Sequence, residues 1–349
     1  MRDRARDVFR IVVLLVTGTA TTIGHSSPTP SGGYPSRADG LPRKVVVASA
    51  LVKMDGSVAS RLSTIAGLVD SAAREAGRKY PGHGLDLMVF PEFAISRDGA
   101  DAGQRAVKLE GTIEATLASK AKQAHAWLVV PMTLREADRV SNAAVLFNRD
   151  GVVAGIFRKV HPVADENGVL EDGTTPGSDY PVFETDFGRL GILICWDMGY
   201  EEGWEALAER GAVLVALPSA SPQTLRPSAE ALRHRFYVVS STPKNNASLF
   251  DPIGRVIAQT TDTPGFLVRE IDLSFAVLHW SEKLREGRAL TARFGKKVGY
   301  DYSTREDTGV FWSNDPDVSI GSMIGELGLR EMDSEMKRMD DAAKPLRRE

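Results

Sequence analysis

Residues 189–218 read RLGILICWDMGYEEGWEALAERGAVLVALP. Two short apolar runs, 190–195 and 212–217, flank a segment of helical spacing over 201–210 that Gly211 stops. Continuous apolar runs of this length suit strands buried on both faces, and a helix between two of them is the repeating unit of a parallel sheet. Towards the N-terminus the alternation continues. Residues 44–51 predict a buried strand, and 58–78 a helix with Val58, Leu62, Ile65, Val69 and Ala72 on one face. A second run, 85–90, stops at Pro91-Glu92, and a helix over about 113–126 leads into 127–130, which stops at Pro131. The run 212–217 likewise stops at a proline, Pro218. The stretches 140–148 and 152–160 alternate in polarity and predict a hairpin around Arg149-Asp150-Gly151; 246–250 and 255–259 predict another. Helices between buried strands, together with hairpins, indicate an α/β chain with two mixed sheets packed face to face and helices outside. No solenoid period or low-complexity block interrupts 44–318.

Composition narrows the function. The 349 residues suffice for one large α/β domain or two smaller ones. With 43 basic against 46 acidic residues and a net charge of −3, the chain has no electrostatic footprint for nucleic acid. A single cysteine, Cys195, excludes an internal disulfide framework and a Cys-based structural zinc site. None of the six histidines is paired at HxxxH spacing, which argues against a metalloprotease. No GxSxG elbow or glycine-rich phosphate loop is present.

The ends differ from the body. Residues 1–24 read as an export signal: Arg2, Arg4, Arg6 and Arg10 precede a short apolar core over 11–16 and the small residues Gly18-Thr19-Ala20. Residues 25–43, rich in Ser, Pro and Gly, read as a linker. Residues 319–349 read as a charged helical tail whose Met332, Met336 and Met339 would pack onto a neighbour. No apolar run reaches the roughly 20 residues a spanning helix needs. The expectation is a secreted or periplasmic protein with no stable membrane span once matured, a cytoplasmic one being the alternative.

In α/β sheets ligands gather beyond the carboxyl ends of strands. Glu92, Lys159 and Cys195 all fall at such ends. Singly, each has a plain structural reading: a solvated turn carboxylate, a lysine reaching water, a small buried hydrophobe. Together they form a reacting set. A thiolate attacks an amide or nitrile carbon, and a following helix N-terminus and a lysine lower its pKa. A carboxylate takes the thiol proton and returns it to the leaving amine. The lysine and a backbone N–H hold the oxyanion. His161, two residues beyond Lys159, is a candidate for the pocket wall or its surroundings.

FPEF at 90–93, FRKVH at 157–161 and GILICWD at 191–197 resemble, in order, the three signature segments of the nitrilase superfamily of carbon–nitrogen hydrolases. Weaker agreement follows at 247–258. The resemblance implies one αββα sandwich over 44–318, with no metal and no organic cofactor. It assigns Cys195 as nucleophile, Glu92 as general base and Lys159 as oxyanion-stabilising cation. It also implies a further glutamate before Pro176-Gly177, for which Glu171 is the choice and Glu166 the substitute. The backbone N–H of Trp196 becomes an oxyanion donor, its indole a structural group. The implied activity is hydrolysis of a non-peptide C–N bond in a small amide or N-carbamoyl compound through a Cys thioester. A nitrile substrate is the close alternative, although Asp197 in place of the glutamate usual in nitrile-cleaving relatives favours an amide. An acyltransferase would use the same thioester; a secreted binding protein without catalysis is the reading from another class. Met198-Gly199 departs from the family, whose amidases often carry an arginine after Cys-x-Asp. Relatives are homodimers or higher homo-oligomers built through the helical layers, which is the expectation for this chain.

Overall fold

In a computed structural model the chain is described over residues 37–347, so the export signal at 1–24 and the linker up to residue 36 lie outside the described residues. The first strand, β1 (Lys44–Leu51), is buried from Val45 onward. Val45 and Val47 enter the layer between the sheets, whereas Val46, Ala48 and Ala50 pack on the opposite face under helices. That two-sided burial explains a continuous apolar run. Helix α1 (Val58–Lys79) starts at Ser57, whose side chain accepts the Ser60 N–H, and buries Leu62, Ile65, Val69, Ala72 and Ala76.

The remaining elements of the first layer are β2 (Leu87–Val89), α2 (Ala102–Arg105), α3 (Gly111–Ala124), β3 (Trp127–Glu136), β4 (Arg139–Phe147) and β5 (Val153–Arg158). The second comprises β6 (Val182–Thr185), β7 (Gly188–Ile192), α4 (Glu201–Glu209), β8 (Leu214–Pro218), α5 (Leu225–His234), β9 (Tyr237–Ser241), β10 (Ala247–Phe250) and β11 (Val256–Thr260). The next strand, β12 (Gly265–Asp272), returns to the first layer. The sheets are six-stranded, ordered β12-β1-β2-β3-β4-β5 and β11-β10-β9-β8-β7-β6. In each, three consecutive strands run parallel, β1-β2-β3 and β7-β8-β9, with antiparallel strands outside them. Side chains stitch the sheets at β1 and β9: Ser49 Oγ donates to Ser240 O at 2.6 Å, and Ser241 Oγ to Ala50 O at 2.6 Å. The fold is therefore the expected αββα sandwich.

Two expectations need correction. Pro131 does not end a strand; β3 passes through it to Glu136. Odd-numbered residues of β3 turn their backbone groups towards β2, which ends at Val89. The Pro131 nitrogen thus falls past that end, where no ladder donor is needed, while its carbonyl accepts Ile95 N–H at 3.0 Å. A third sheet was also not anticipated. It joins β13 (Phe275–His279), β14 (Val298–Ser303) and β15 (Thr308–Ser313) in the order β13-β15-β14. With α6 (Arg288–Phe294) and α7 (Ile320–Glu326) it encloses a small core around Leu278, Leu284, Leu290, Phe311 and Met323. The tail accordingly has two parts. Its first helix, α7, buries Ile320, Met323 and Ile324, whereas α8 (Met332–Ala343) buries no residue, leaving Met336 and Met339 about half exposed. Met332 alone packs partly against the central core. Among the described residues no helix is long and apolar enough to cross a membrane.

Candidate active site

Three chain reversals bring the candidate residues together. Glu92 follows β2 and is succeeded by Phe93 at φ 58°. Lys159 follows β5, its N–H bonded to Asn142 O at 2.8 Å. Cys195 lies three residues beyond β7, opens a 3₁₀ turn over Cys195–Gly199 and has φ 48°. Glu171, in the loop before Pro176-Gly177, has φ 41°. Non-glycine residues in this left-handed region are costly, and four of them, Phe93, Glu171, Asp172 and Cys195, line one cleft, which points to function.

The side chains form a compact polar network. Lys159 Nζ, almost fully buried, contacts Glu92 Oε1 at 2.8 Å and bonds Glu171 Oε1 as well. Asn142 Nδ2 donates to Glu92 Oε1 at 2.8 Å and to Glu171 Oε2 at 3.0 Å, so one amide links both carboxylates. Ala220 N–H donates to Glu92 Oε2 at 2.9 Å. Glu92, Lys159, Glu171, Ala220 and Cys195 line one cleft of about 530 Å³, walled also by Arg61, Arg97 and Val163.

Electrostatics set the protonation states. Burial pulls the Lys159 ammonium down, but the charges of Glu92, Glu171 and Cys195 outweigh it and hold the lysine well above its ordinary value. The Cys195 thiol is pushed up to about 11, first by burial and then by the Glu92 charge; Lys159 pulls weakly the other way. The expected lowering of this pKa is therefore reversed. A single cation already shared by two carboxylates does not offset removal of the thiolate from water.

Asp197 joins two of the segments. Fully buried, it accepts the N–H groups of Val160 at 3.2 Å and His161 at 2.8 Å on Oδ1, and that of Ile194 at 3.0 Å on Oδ2. The end of the lysine strand and the cysteine turn are thus held by one carboxylate. Burial raises the Asp197 pKa against those hydrogen bonds. His161 stands outside the cleft, stacked on Tyr200 at 3.5 Å between centroids and 3.1 Å from the Tyr180 hydroxyl.

The structure thus brings together Glu92, Lys159, Cys195 and Glu171, while Glu166 is exposed. The Trp196 backbone adjoins Cys195, but its indole is 46% exposed and does not pack as an inner structural group. Asn142 and the Asp197 bridge were missed from sequence; the only signal for Asn142 is a lone amide in the apolar strand RVSNAAVLF. Among the described residues no cluster of three His, Cys, Asp or Glu could hold a metal.

Comparison with known proteins agrees with this geometry. The carbon–nitrogen hydrolase family profile matches residues 47–277. Human deaminated glutathione amidase is 26% identical over 234 residues, covering 58% of this chain and 70% of that protein. Human omega-amidase NIT2 is 26% identical over 220 residues, covering 56% and 80%. Among solved structures, Saccharomyces cerevisiae Nit3, described as a member of branch 10 of the nitrilase superfamily, superposes with TM-score 0.55 at 21% identity, covering 67% of this chain and 91% of that one. An amidase of that superfamily from Nesterenkonia AN1 gives TM-score 0.53 at 21% identity, covering 69% and 93%.

Proposed function

The chain belongs to the carbon–nitrogen hydrolase family of the nitrilase superfamily and is an amidase-type hydrolase, and on that premise we propose that it cleaves the C–N bond of a small amide or N-carbamoyl compound through a thioester on Cys195. One observation carries the reading. Glu92 and Lys159 are paired at 2.8 Å, nearly sealed from water, and open onto the same cleft as the chain's only cysteine.

The steps follow from the donor and acceptor inventory. As substrate enters, Glu92 takes the Cys195 proton and the sulfur bonds to the carbonyl carbon. Two Lys159 protons are engaged by Glu92 and Glu171, leaving a third to meet the oxyanion beside the Trp196 N–H. The protonated Glu92 gives its proton to the departing nitrogen, and ammonia or an amine leaves as the thioester forms. Water, deprotonated by Glu92, attacks the thioester; collapse of that intermediate returns the proton to sulfur and frees the acid. Glu171 and Asn142 position Lys159 and Glu92 throughout.

Ammonia release across aliphatic amides, N-carbamoyl amino compounds and nitriles tests this reading. Turnover of an amide or N-carbamoyl compound is expected, with a loss of at least about a thousandfold in Cys195→Ala. Turnover of nitriles alone, or undiminished activity in that variant, overturns it. The reading extends to export and assembly. A basic start followed by a short apolar core supports removal of residues 1–24 on secretion, which N-terminal sequencing of the exported protein checks. Leu225, 87% exposed, with Leu232, Trp196 and Tyr200, each more than 40% exposed on or beside α4 and α5, supports a homodimer through that layer. Light scattering at the dimer mass, reduced to the monomer by Leu225→Glu with Leu232→Glu, is the expected result.

A further inference from the structure

A second cavity, of about 280 Å³, lies at the end of the sheets opposite the catalytic cleft. Lys44 opens β1, Tyr237 opens β9 and Asp272 closes the antiparallel β12, and all three line it. Glu92 and Cys195, by contrast, follow β2 and β7, which run in the direction of β1 and β9. Another wall comes from the third sheet, through Asp301, Val310 and Trp312. Those residues lie past position 277, where the match to the family profile ends.

Two buried polar groups of this cavity have bonding capacity to spare. Tyr237 is 3% exposed, and its hydroxyl has no hydrogen bond among the described residues. Burial, and then the charges of Asp251 and Asp272, hold the phenol well above its ordinary value, so it stays an O–H donor. Asp272 Oδ1 accepts the N–H groups of Arg43 and Ser274, each at 2.9 Å. Its Oδ2 is buried without a hydrogen bond and meets only the Lys44 ammonium, at 3.3 Å. Lys44 Nζ donates to Asn314 Oδ1 at 3.2 Å as well, which leaves it a third proton. The charges around the cavity nearly cancel. Arg255 holds Asp251 at 2.7 Å and Asp301 at 2.9 Å, Lys44 faces Asp272, and Arg269 opposes Glu270. An ammonium entering here would meet Lys44, and a carboxylate would meet Asp272, so either charge is disfavoured. A hydroxyl suits the pair, because it can donate to Asp272 Oδ2 while accepting from Lys44 Nζ.

We propose that this cavity is a second ligand site, for a neutral polyhydroxy compound of monosaccharide size. One hydroxyl bridges Lys44 and Asp272, a neighbouring one pairs Tyr237, and the C–H groups rest on Trp312, Val310 and Ile257. The volume falls just below the roughly 300 Å³ at which drug-sized sites begin, as suits a single sugar ring.

The probes are glucose, galactose, mannose, ribose and myo-inositol, titrated into the full chain by calorimetry. At least one should bind with a Kd of about 1 mM or tighter, within reach of a few net hydrogen bonds and a covered C–H face. Tyr237→Phe should weaken that binding about threefold to tenfold, and Asp272→Asn about tenfold to a hundredfold, the second being a charge-assisted bond. Without sugar, Tyr237→Phe should leave Tm unchanged or raised, because the hydroxyl has no protein partner to lose. A hydroxyl with a structural role would lower Tm on removal and leave sugar binding intact. Tyr237→Phe decides alone if Asp272→Asn does not fold. Alkylating Cys195 with iodoacetamide fills the catalytic cleft and should not change the affinity. Failure of all five probes to bind overturns the site, as does affinity unmoved by Tyr237→Phe. Loss of binding on alkylation would put the sugar in the catalytic cleft and overturn it too. Glucosamine or gluconate binding more tightly than every neutral probe would overturn the neutral ligand class.

Discussion

The Cys195 proton has to move before sulfur can attack, and Glu92 both hinders and enables that movement. Its charge helps push the thiol up to about 11, so the free protein holds a neutral thiol at neutral pH, next to the carboxylate that is to receive the proton. Glu92→Gln should separate these effects. With the like charge gone and Lys159 still attracting a thiolate, the titration midpoint of Cys195 should shift down. Turnover should nevertheless fall by about a hundredfold to ten-thousandfold, since no acceptor remains. Alkylation rate against pH reads the midpoint cleanly because the chain has one cysteine; an upward shift, or retained turnover, would count against Glu92 as base. The reacting residues were legible because each follows a short apolar run and differs in type from its neighbours. Asn142 was not, because nothing in sequence says that an amide inside an apolar strand faces two carboxylates. Nor does sequence report desolvation, which is why the direction of the thiol's pKa came out reversed.

Strand ends position these groups, and two local contacts fix the ends. Asp197 collects N–H groups from both the lysine segment and the cysteine turn. Asp197→Ala leaves those three buried or half-buried donors without their acceptor, at a cost of about 3 kcal/mol or more. A lowered Tm with at least a tenfold loss of kcat is expected, whereas unchanged kcat in the folded variant would show that the bridge does not hold the site. Gly177 acts at the same strand end. Its N–H donates to Lys159 O at 2.7 Å, and a Cβ there would stand 2.1 Å from Arg158 O. Gly177→Ala must therefore displace the backbone carrying Lys159, and steady-state kinetics should show kcat reduced at least tenfold; kcat near wild type would contradict the contact's importance. Periodicity located most elements within a few residues, because burial on one or two faces writes itself into the pattern. It failed at Pro131, where whether a proline breaks a strand depends on what lies beside it, and that is a property of the sheet.

On the scale of the molecule, two large sheets carry the site and a small third one closes the C-terminal part. That sheet was not legible: β14 is largely polar and partly exposed, and α6 separates β13 in the chain from β14 and β15. Helix α8 buries nothing, so deleting residues 332–347 forfeits the partial burial of Met332 and the Arg235–Asp333 pair at 3.0 Å, about 1–2 kcal/mol together. Tm should drop only a few degrees, while deletion from Ile320 onward removes the buried Ile320, Met323 and Ile324, uncovers the core around Leu278, Leu284, Leu290 and Phe311, and should cost about 5 kcal/mol or more. Equal losses from both truncations in calorimetry would contradict this division of the tail. The central claim, that the chain acts through an acyl group on Cys195, is met most directly by intact mass after rapid quenching of the protein with an amide it turns over. A transient increase equal to the acyl group is expected, mapped to Cys195, released by hydroxylamine and absent from Cys195→Ala. Turnover without an adduct on that residue, or turnover surviving its replacement, would contradict it.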